Sequence, residues 1–162
     1  MRSFQISPLS DHNRDWAEHL IEEHWGSSII VSRGVVHRPS ALPGFVAEQN
    51  GECVGLITYY CVQGDECEIV SLDSLVEGTG IGSALLEAVK QVAIAAGCKR
   101  LWLITTNDNV AALRFYQKRG FSLVAVHRDA LARSRQLKPE IPLVGMDGIP
   151  LRDEIELEMM LK

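Results

Sequence analysis

The sequence is short of the features that mark specialised classes of protein. Among 162 residues only four are cysteine and six proline, and aromatic side chains make up 6%. Cys53, Cys61, Cys67 and Cys98 show none of the close paired spacing of a zinc site, so no metal is expected. Met1 to Ser10 lacks the hydrophobic run of a secretory leader, which leads to the expectation of reduced, mostly buried thiols. No stretch approaches the roughly 18 consecutive apolar residues of a membrane span, and a soluble, cytoplasmic protein is expected. Positive charge is also in deficit. Sixteen Lys and Arg stand against 21 Asp and Glu, a formal net charge of -5, which gives no general field for nucleic acid or an anionic membrane. Internal repeats and low-complexity tracts are missing too.

What is present suits one compact domain spanning 1–162, with 46% hydrophobic and 23% charged residues. Phe4 to Leu9 reads as a first strand. Ser10 or Asp11 can then cap a helix carrying Trp16, Leu20, Ile21 and Trp25 at helical spacing. Gly26 to Pro43 holds only short apolar pieces. Strands are predicted at Phe45–Glu48 and Cys53–Val62, joined by the hairpin signal Asn50-Gly51, and a turn at Gly64-Asp65 leads into Glu66–Leu75. These three make an antiparallel meander.

At Gly80 the period changes. Ile81, Leu85, Val89, Val92, Ala93 and Ala96 share a helical face that Gly97 closes. A strand at Arg100–Thr105, a helix at Val110–Lys118 stopped by Gly120, and a strand at Phe121–Val126 follow, so this half has a parallel component. Ala130–Lys138 reads as helical, Pro139–Pro150 as a loop, and Asp153–Leu161 as a closing strand with one buried face.

Between the buried strand and the amphipathic helix stands Glu77-Gly78-Thr79-Gly80-Ile81-Gly82-Ser83. Glycine lets backbone approach a ligand, and the first-turn amides of a helix have no internal partners, so this turn is a phosphate cradle. The dinucleotide fingerprint does not fit. Its third glycine would fall at Ser83, and Cys98 to Leu103 offers no acidic residue for a ribose. A Walker loop is excluded because Gly-Lys-Ser/Thr is absent.

The run Glu66–Phe121 resembles the shared core of the GNAT family of N-acetyltransferases. Those enzymes carry (Arg or Gln)-x-x-Gly-x-(Gly or Ala), a helix, then Asn-x-x-Ala-x-x-(aromatic or Leu)-Tyr-x-x-x-Gly-Phe. Here the matching positions are Glu77-x-x-Gly80-x-Gly82 and Asn109-x-x-Ala112-x-x-Phe115-Tyr116-x-x-x-Gly120-Phe121. The resemblance implies an α/β fold with a mixed, mostly antiparallel central sheet and flanking helices. It implies acetyl-CoA as cosubstrate and transfer of the acetyl group to a primary amine by direct attack in a ternary complex. The acceptor it implies is a small-molecule amine or a protein or peptide amine; the charge balance and the lack of a long apolar run lead to the expectation of no nucleic acid and no membrane, and a homodimer is left open. Glu77 departs from the family's Arg or Gln, and a carboxylate facing pyrophosphate would repel it.

The cofactor contacts implied are Val70, Leu72, Asp73, Glu77, Gly78, Thr79, Gly80, Ile81, Gly82, Ser83, Asn109, Ala112, Phe115 and Tyr116. A strand bulge that offers an amide to the acetyl carbonyl matches best at Leu72 or Asp73. Tyr116 resembles the tyrosine that protonates the departing thiolate, and a phenol suits that task. Core packing is its bland alternative. Asn109 can cap a helix as well as meet the cofactor. Glu68 matches the glutamate that takes the amine proton through water, and Glu66 shares its face by period two. The acidic tail Asp147, Asp153, Glu154, Glu156 and Glu158 would favour a protonated amine, or is simply solvated. Two alternatives stand beside catalysis of acetyl transfer: a non-catalytic acyl-CoA-binding module, and transfer of a different acyl group.

Overall fold

The fold is described from a computed structural model covering residues 3–62 and 65–162. Seven strands form one sheet in the order β1-β4-β5-β6-β7-β9-β8. They are β1 (Gln5–Pro8), β4 (Gly44–Gln49), β5 (Glu52–Val62), β6 (Glu66–Ser74), β7 (Arg100–Thr106), β8 (Ser122–His127) and β9 (Glu154–Met160). A separate hairpin pairs β2 (Ile30–Ser32) with β3 (Val35–His37). The helices are α1 (Arg14–Trp25), α2 (Ile81–Ala95), α3 (Val110–Lys118) and α4 (Ala130–Leu137). Every sheet pairing is antiparallel except β6 with β7, because the chain crosses over through α2 between them.

Strand alternation sorts the core into two layers. On one face Ala47, Ile57, Ile69, Leu101, Leu103 and Leu157 pack beneath Ile81, Leu85 and Val89 of α2 and Tyr116 of α3. On the other, Val46 and Leu56 pack beneath Ala17, Leu20 and Ile21 of α1. Strand segments covered on both sides must be apolar on both faces, which is why Phe45–Ala47 of β4 and Val54–Ile57 of β5 carry no polar side chain. Each fully buried Leu, Ile or Val here contributes about 1.5–3 kcal/mol of transfer free energy.

The Asn50-Gly51 turn forms as expected, with φ of 53° and 79°. Gly97 and Gly120 close α2 and α3 at φ of 81° and 97°. The turn expected at Gly64-Asp65 includes residue 64, outside the described set. The segment 26–43, unreadable by period, contains the β2–β3 hairpin, turning through Arg33 and Gly34 at φ of 49° and 75°, and a 3-10 turn at Pro39–Ala41. Three-residue strands carry too few positions to show alternation. β9 is not an edge, since it lies between β7 and β8 and leaves β8 outermost. Among the described residues no helix is long and apolar enough to cross a membrane.

The cysteines correct one expectation. Cys61 and Cys67 are cross-strand partners on β5 and β6 and are joined in a disulfide, while Cys53 and Cys98 are free. Pairing of the two strands, not their spacing in sequence, brings those sulfurs together.

Candidate active site

The sheet is split where the two halves of the chain meet. β6 pairs with β7 only through Glu66–Ile69 and Arg100–Leu103. Beyond that point β6 stays paired with β5 as far as Ser74, and β7 with β9 as far as Thr106. The facing edges of residues 70–74 and 104–106 therefore open a wedge inside the sheet. Backbone N–H and C=O groups on such edges call for partners, so the wedge suits an extended ligand with amides of its own.

The bulge expected at Leu72 or Asp73 sits instead at Val70. Consecutive Thr58 and Tyr59 on β5 face Ser71 and Ile69, leaving Val70 as the extra residue. A 2.6 Å hydrogen bond between the Thr58 and Ser71 hydroxyls pins that register. The bulge thus falls where β6 parts from β7, and the added local twist helps the strands diverge. Val70 is buried and Leu72 packs partly into the core, while Asp73 turns to the α1 face.

From the end of β6 the chain passes through Gly78 and Gly80, at φ of 72° and 83°, into α2. A Cβ on either glycine would meet nothing within 4 Å, so both are required by backbone angle and both border open space. Among the described residues no side chain caps α2, and its first turn carries no acidic residue. Thr79 donates to the Val76 carbonyl (3.2 Å) rather than capping the helix. The first-turn amides of Ile81, Gly82 and Ser83 are left for an anion. Gly82 has a different reason to be glycine: a Cβ there would stand 3.1 Å from Phe115 Cζ. Glu77 is exposed.

Arg119, which the motif reading passed over, completes this corner. Its guanidinium lies 3.8 Å over the Phe115 ring, and it donates to Ser83 Oγ (2.7 Å) and the Phe115 carbonyl (2.9 Å). Arg119, at the C-terminal cap of α3, lies four positions after Phe115, so their placement on one side of the helix end was a signal available in the sequence. Asn109 does cap α3, accepting from the Ala112 amide at 3.1 Å.

Tyr116 is 7% exposed and packed edge-on to Phe115 and Phe121. Its hydroxyl makes no hydrogen bond to protein among the described residues. Burial, and secondarily the charge of Asp73, push the phenol well above its ordinary value. It therefore holds its proton at neutral pH.

The two glutamates on the α1 face of β6 lie in unlike surroundings. Glu68 is 6% exposed beneath the β2–β3 hairpin, accepts from Ser32 Oγ at 2.6 Å, and has Oε1 3.5 Å from His37 Nε2. His37 Nε2 is itself buried and has no hydrogen-bond partner among the described residues. Glu66 is half-exposed, 3.6 Å from Arg100 Nη1. The acidic tail is mostly paired. Glu154, 2% exposed, holds Arg33 at 3.3 Å, Glu156 and Glu158 both bind Arg100, and Asp153 binds Arg152 at 3.0 Å. Burial pushes the Glu156 carboxyl up, but hydrogen bonds from His127 and Arg100 outweigh it and hold the group below its ordinary value.

Of the aromatics on this side, Tyr59 packs against Phe45 in the core, whereas Tyr60 is exposed beside His37. Trp25 donates to Asp73 (3.4 Å), as does His24. Neither contact has a local signature, because 48 and 49 residues separate the partners.

Comparison with known proteins agrees with this geometry. The family model described as "Acetyltransferase (GNAT) family" matches residues 3–121. The uncharacterized protein YdhI of Bacillus subtilis is 47% identical over 148 residues, 88% of this chain and 92% of its own. The uncharacterized protein YxbD of the same organism is 41% identical over 153 residues, 94% and 96% of the two chains. A GNAT family acetyltransferase from Elizabethkingia anophelis, solved with acetyl-CoA bound, superposes with a TM-score of 0.70 at 22% identity over 99% of this chain and 100% of its own. With an opened mixed sheet, an uncapped glycine turn and a buried tyrosine beside the opening, the chain belongs to the GNAT acetyltransferase family.

Proposed function

We propose that this protein transfers the acetyl group of acetyl-CoA to a primary amine by direct attack in a ternary complex, in the cytoplasm. The observation that carries the reading is the uncapped first turn of α2 beside the wedge between β6 and β7, with Tyr116 near Asp73. The residues fit the cosubstrate: open amides for a pyrophosphate, unpaired strand edges for an amide-bearing arm, and a phenol with a free hydroxyl. The acetyl-CoA bound to the Elizabethkingia anophelis enzyme supports the same assignment.

When bound, acetyl-CoA supplies the acetyl thioester. Gly78, Thr79, Gly80, Ile81, Gly82 and Ser83 hold its pyrophosphate, with Glu77 turning its side chain to solvent. Val70, Leu72 and Asp73 line the acetyl arm, and Asn109, Ala112 and Phe115 border it from α3. Tyr116 Oη, protonated across the working pH range, gives its proton to the departing sulfur. Glu68 takes a proton from the acceptor's ammonium through water, and Glu66 is the secondary candidate. The acceptor is a small-molecule amine or a peptide amine. No acyl-enzyme is invoked, since Cys67 is tied to Cys61.

The test is thiol release from acetyl-CoA by the purified protein across a chemically broad panel of amines. Release dependent on one amine class supports the reading. Protection of the fold by acetyl-CoA with no release from any amine would identify an acyl-CoA-binding module instead. Faster release from longer acyl-CoA thioesters would reassign the acyl group.

A further inference from the structure

We infer that His24, oriented by Asp73, is a second proton acceptor in acyl transfer. The inference rests on the proposed acetyl transfer to an amine and adds a residue to it. His24 Nδ1 donates to Asp73 Oδ1 at 3.0 Å, which leaves Nε2 as the acceptor nitrogen of the neutral ring. Nε2 has no partner among the described residues, and the side chain is 34% exposed. The other Asp73 oxygen accepts from Trp25 Nε1 at 3.4 Å, and the carboxylate is only 11% exposed. A carboxylate gripped from two sides fixes the ring that it holds.

The position is as specific as the pairing. Asp73 lies on β6 just past the Val70 bulge, along the opened edge of the wedge, and is the charged group that acts on Tyr116. The helix end that carries His24 is anchored in turn. Gly26 terminates α1 at φ 83°, and the ammonium of buried Lys138 donates to the Trp25 and Ile29 carbonyls, each at 2.7 Å. Among the described residues the charged group in contact with His24 is Asp73 from β6; Tyr116 of α3 lies within reach of that carboxylate, Lys138 after α4 binds the carbonyl of the adjoining Trp25, and Glu22 and Glu23 precede His24 on α1.

Proton accounting calls for such a group. An ammonium acceptor must lose two protons to become an amide nitrogen with one fewer substituent hydrogen than the free amine. The first, removed before attack, leaves through Glu68 to solvent. As nitrogen bonds to the acetyl carbon, the second passes to His24 Nε2. The electron pair of the breaking C–S bond departs on sulfur, which takes the Tyr116 proton. The imidazolium then returns its proton through water to the phenolate, and both groups regain their starting state. Glu68, buried and already accepting from Ser32, is less able to serve twice in one turnover.

The discriminating variant is His24→Asn, whose side-chain amide keeps a donor toward Asp73 but has no basic nitrogen. With acetyl-CoA and the best amine of the panel, kcat is expected to fall by about a hundredfold, the lower end for general-base catalysis. Thermal stability and acetyl-CoA affinity should hold, and the acid limb of the kcat–pH profile should lose its histidine component. Nitrogen NMR of the cofactor-free protein gives an independent readout: His24 should carry its proton on Nδ1, and Asp73→Ala should shift it to Nε2. If His24→Asn keeps the wild-type profile, or the ring favours Nε2–H in the wild type, the pairing only fastens α1 to the sheet and the inference is overturned. Absence of thiol release from wild type with every amine would instead defeat the acetyl-transfer reading and this inference with it.

Discussion

Gly55→Ala is expected to disturb the phosphate-binding turn from inside the core. Gly55 lies on β5 under the start of α2, where an added Cβ would stand 2.7 Å from Ile81 Cγ2, 3.1 Å from Leu85 Cδ1 and 3.3 Å from Ala47 Cβ. Ile81 and Leu85 are 1% and 0% exposed, so neither side chain can swing out into solvent. Relief must come from lifting the first turn of α2, which carries the amides proposed to hold pyrophosphate. Overpacking of this kind costs about 1–3 kcal/mol. For a domain of this size that lowers the melting temperature by roughly 2–12 °C. Urea denaturation should show a lower midpoint at unchanged slope, and calorimetry should show weaker acetyl-CoA binding. Ile81→Ala alone removes the clashing methyl at a cavity cost of about 2–5 kcal/mol. Combining it with Gly55→Ala should then cost at least about 1 kcal/mol less than the sum of the two single changes. Strict additivity, or full cofactor affinity in Gly55→Ala, would refute the claim that this contact sets the height of α2.

Further outcomes follow from the same geometry. Tyr116→Phe should reduce kcat about a hundredfold or more while acetyl-CoA affinity holds, measured by thiol release and calorimetry; an unchanged rate removes its role as acid. Glu77→Gln should tighten acetyl-CoA binding by taking a negative charge away from the pyrophosphate turn, and equal or weaker affinity in calorimetry counts against repulsion. Glu156 has a folded pKa below its ordinary 4.5, so its contribution to stability is complete above about pH 4.5 and is lost as pH falls through the lower folded value. Wild type should therefore lose stability more steeply than Glu156→Gln between neutrality and pH 3 in urea titrations; parallel curves would show that the His127 and Arg100 bonds contribute nothing.

Local chemistry made much of this molecule legible in its sequence. Gly78 and Gly80 were readable because positive φ at the head of a helix demands glycine, and Asn50-Gly51 because a tight hairpin does. The period change at Gly80 marked α2, and the Asn109 to Phe121 spacing identified the family before any contact was known. Tertiary structure decided what distant residues do to one another. The bulge falls at Val70 because Thr58 and Ser71 lock the register across two strands. Gly82 is small because Phe115 comes down on it from another helix. Cys61 meets Cys67 only when β5 and β6 pair, and Glu68 is roofed only when the β2–β3 hairpin folds across it. His24 and Asp73, 49 residues apart, share a hydrogen bond that no periodicity encodes. Backbone angle and helical period are local, so they can be read along a chain; register, burial and the pairing of charges are fixed only when separate segments compete for the same space.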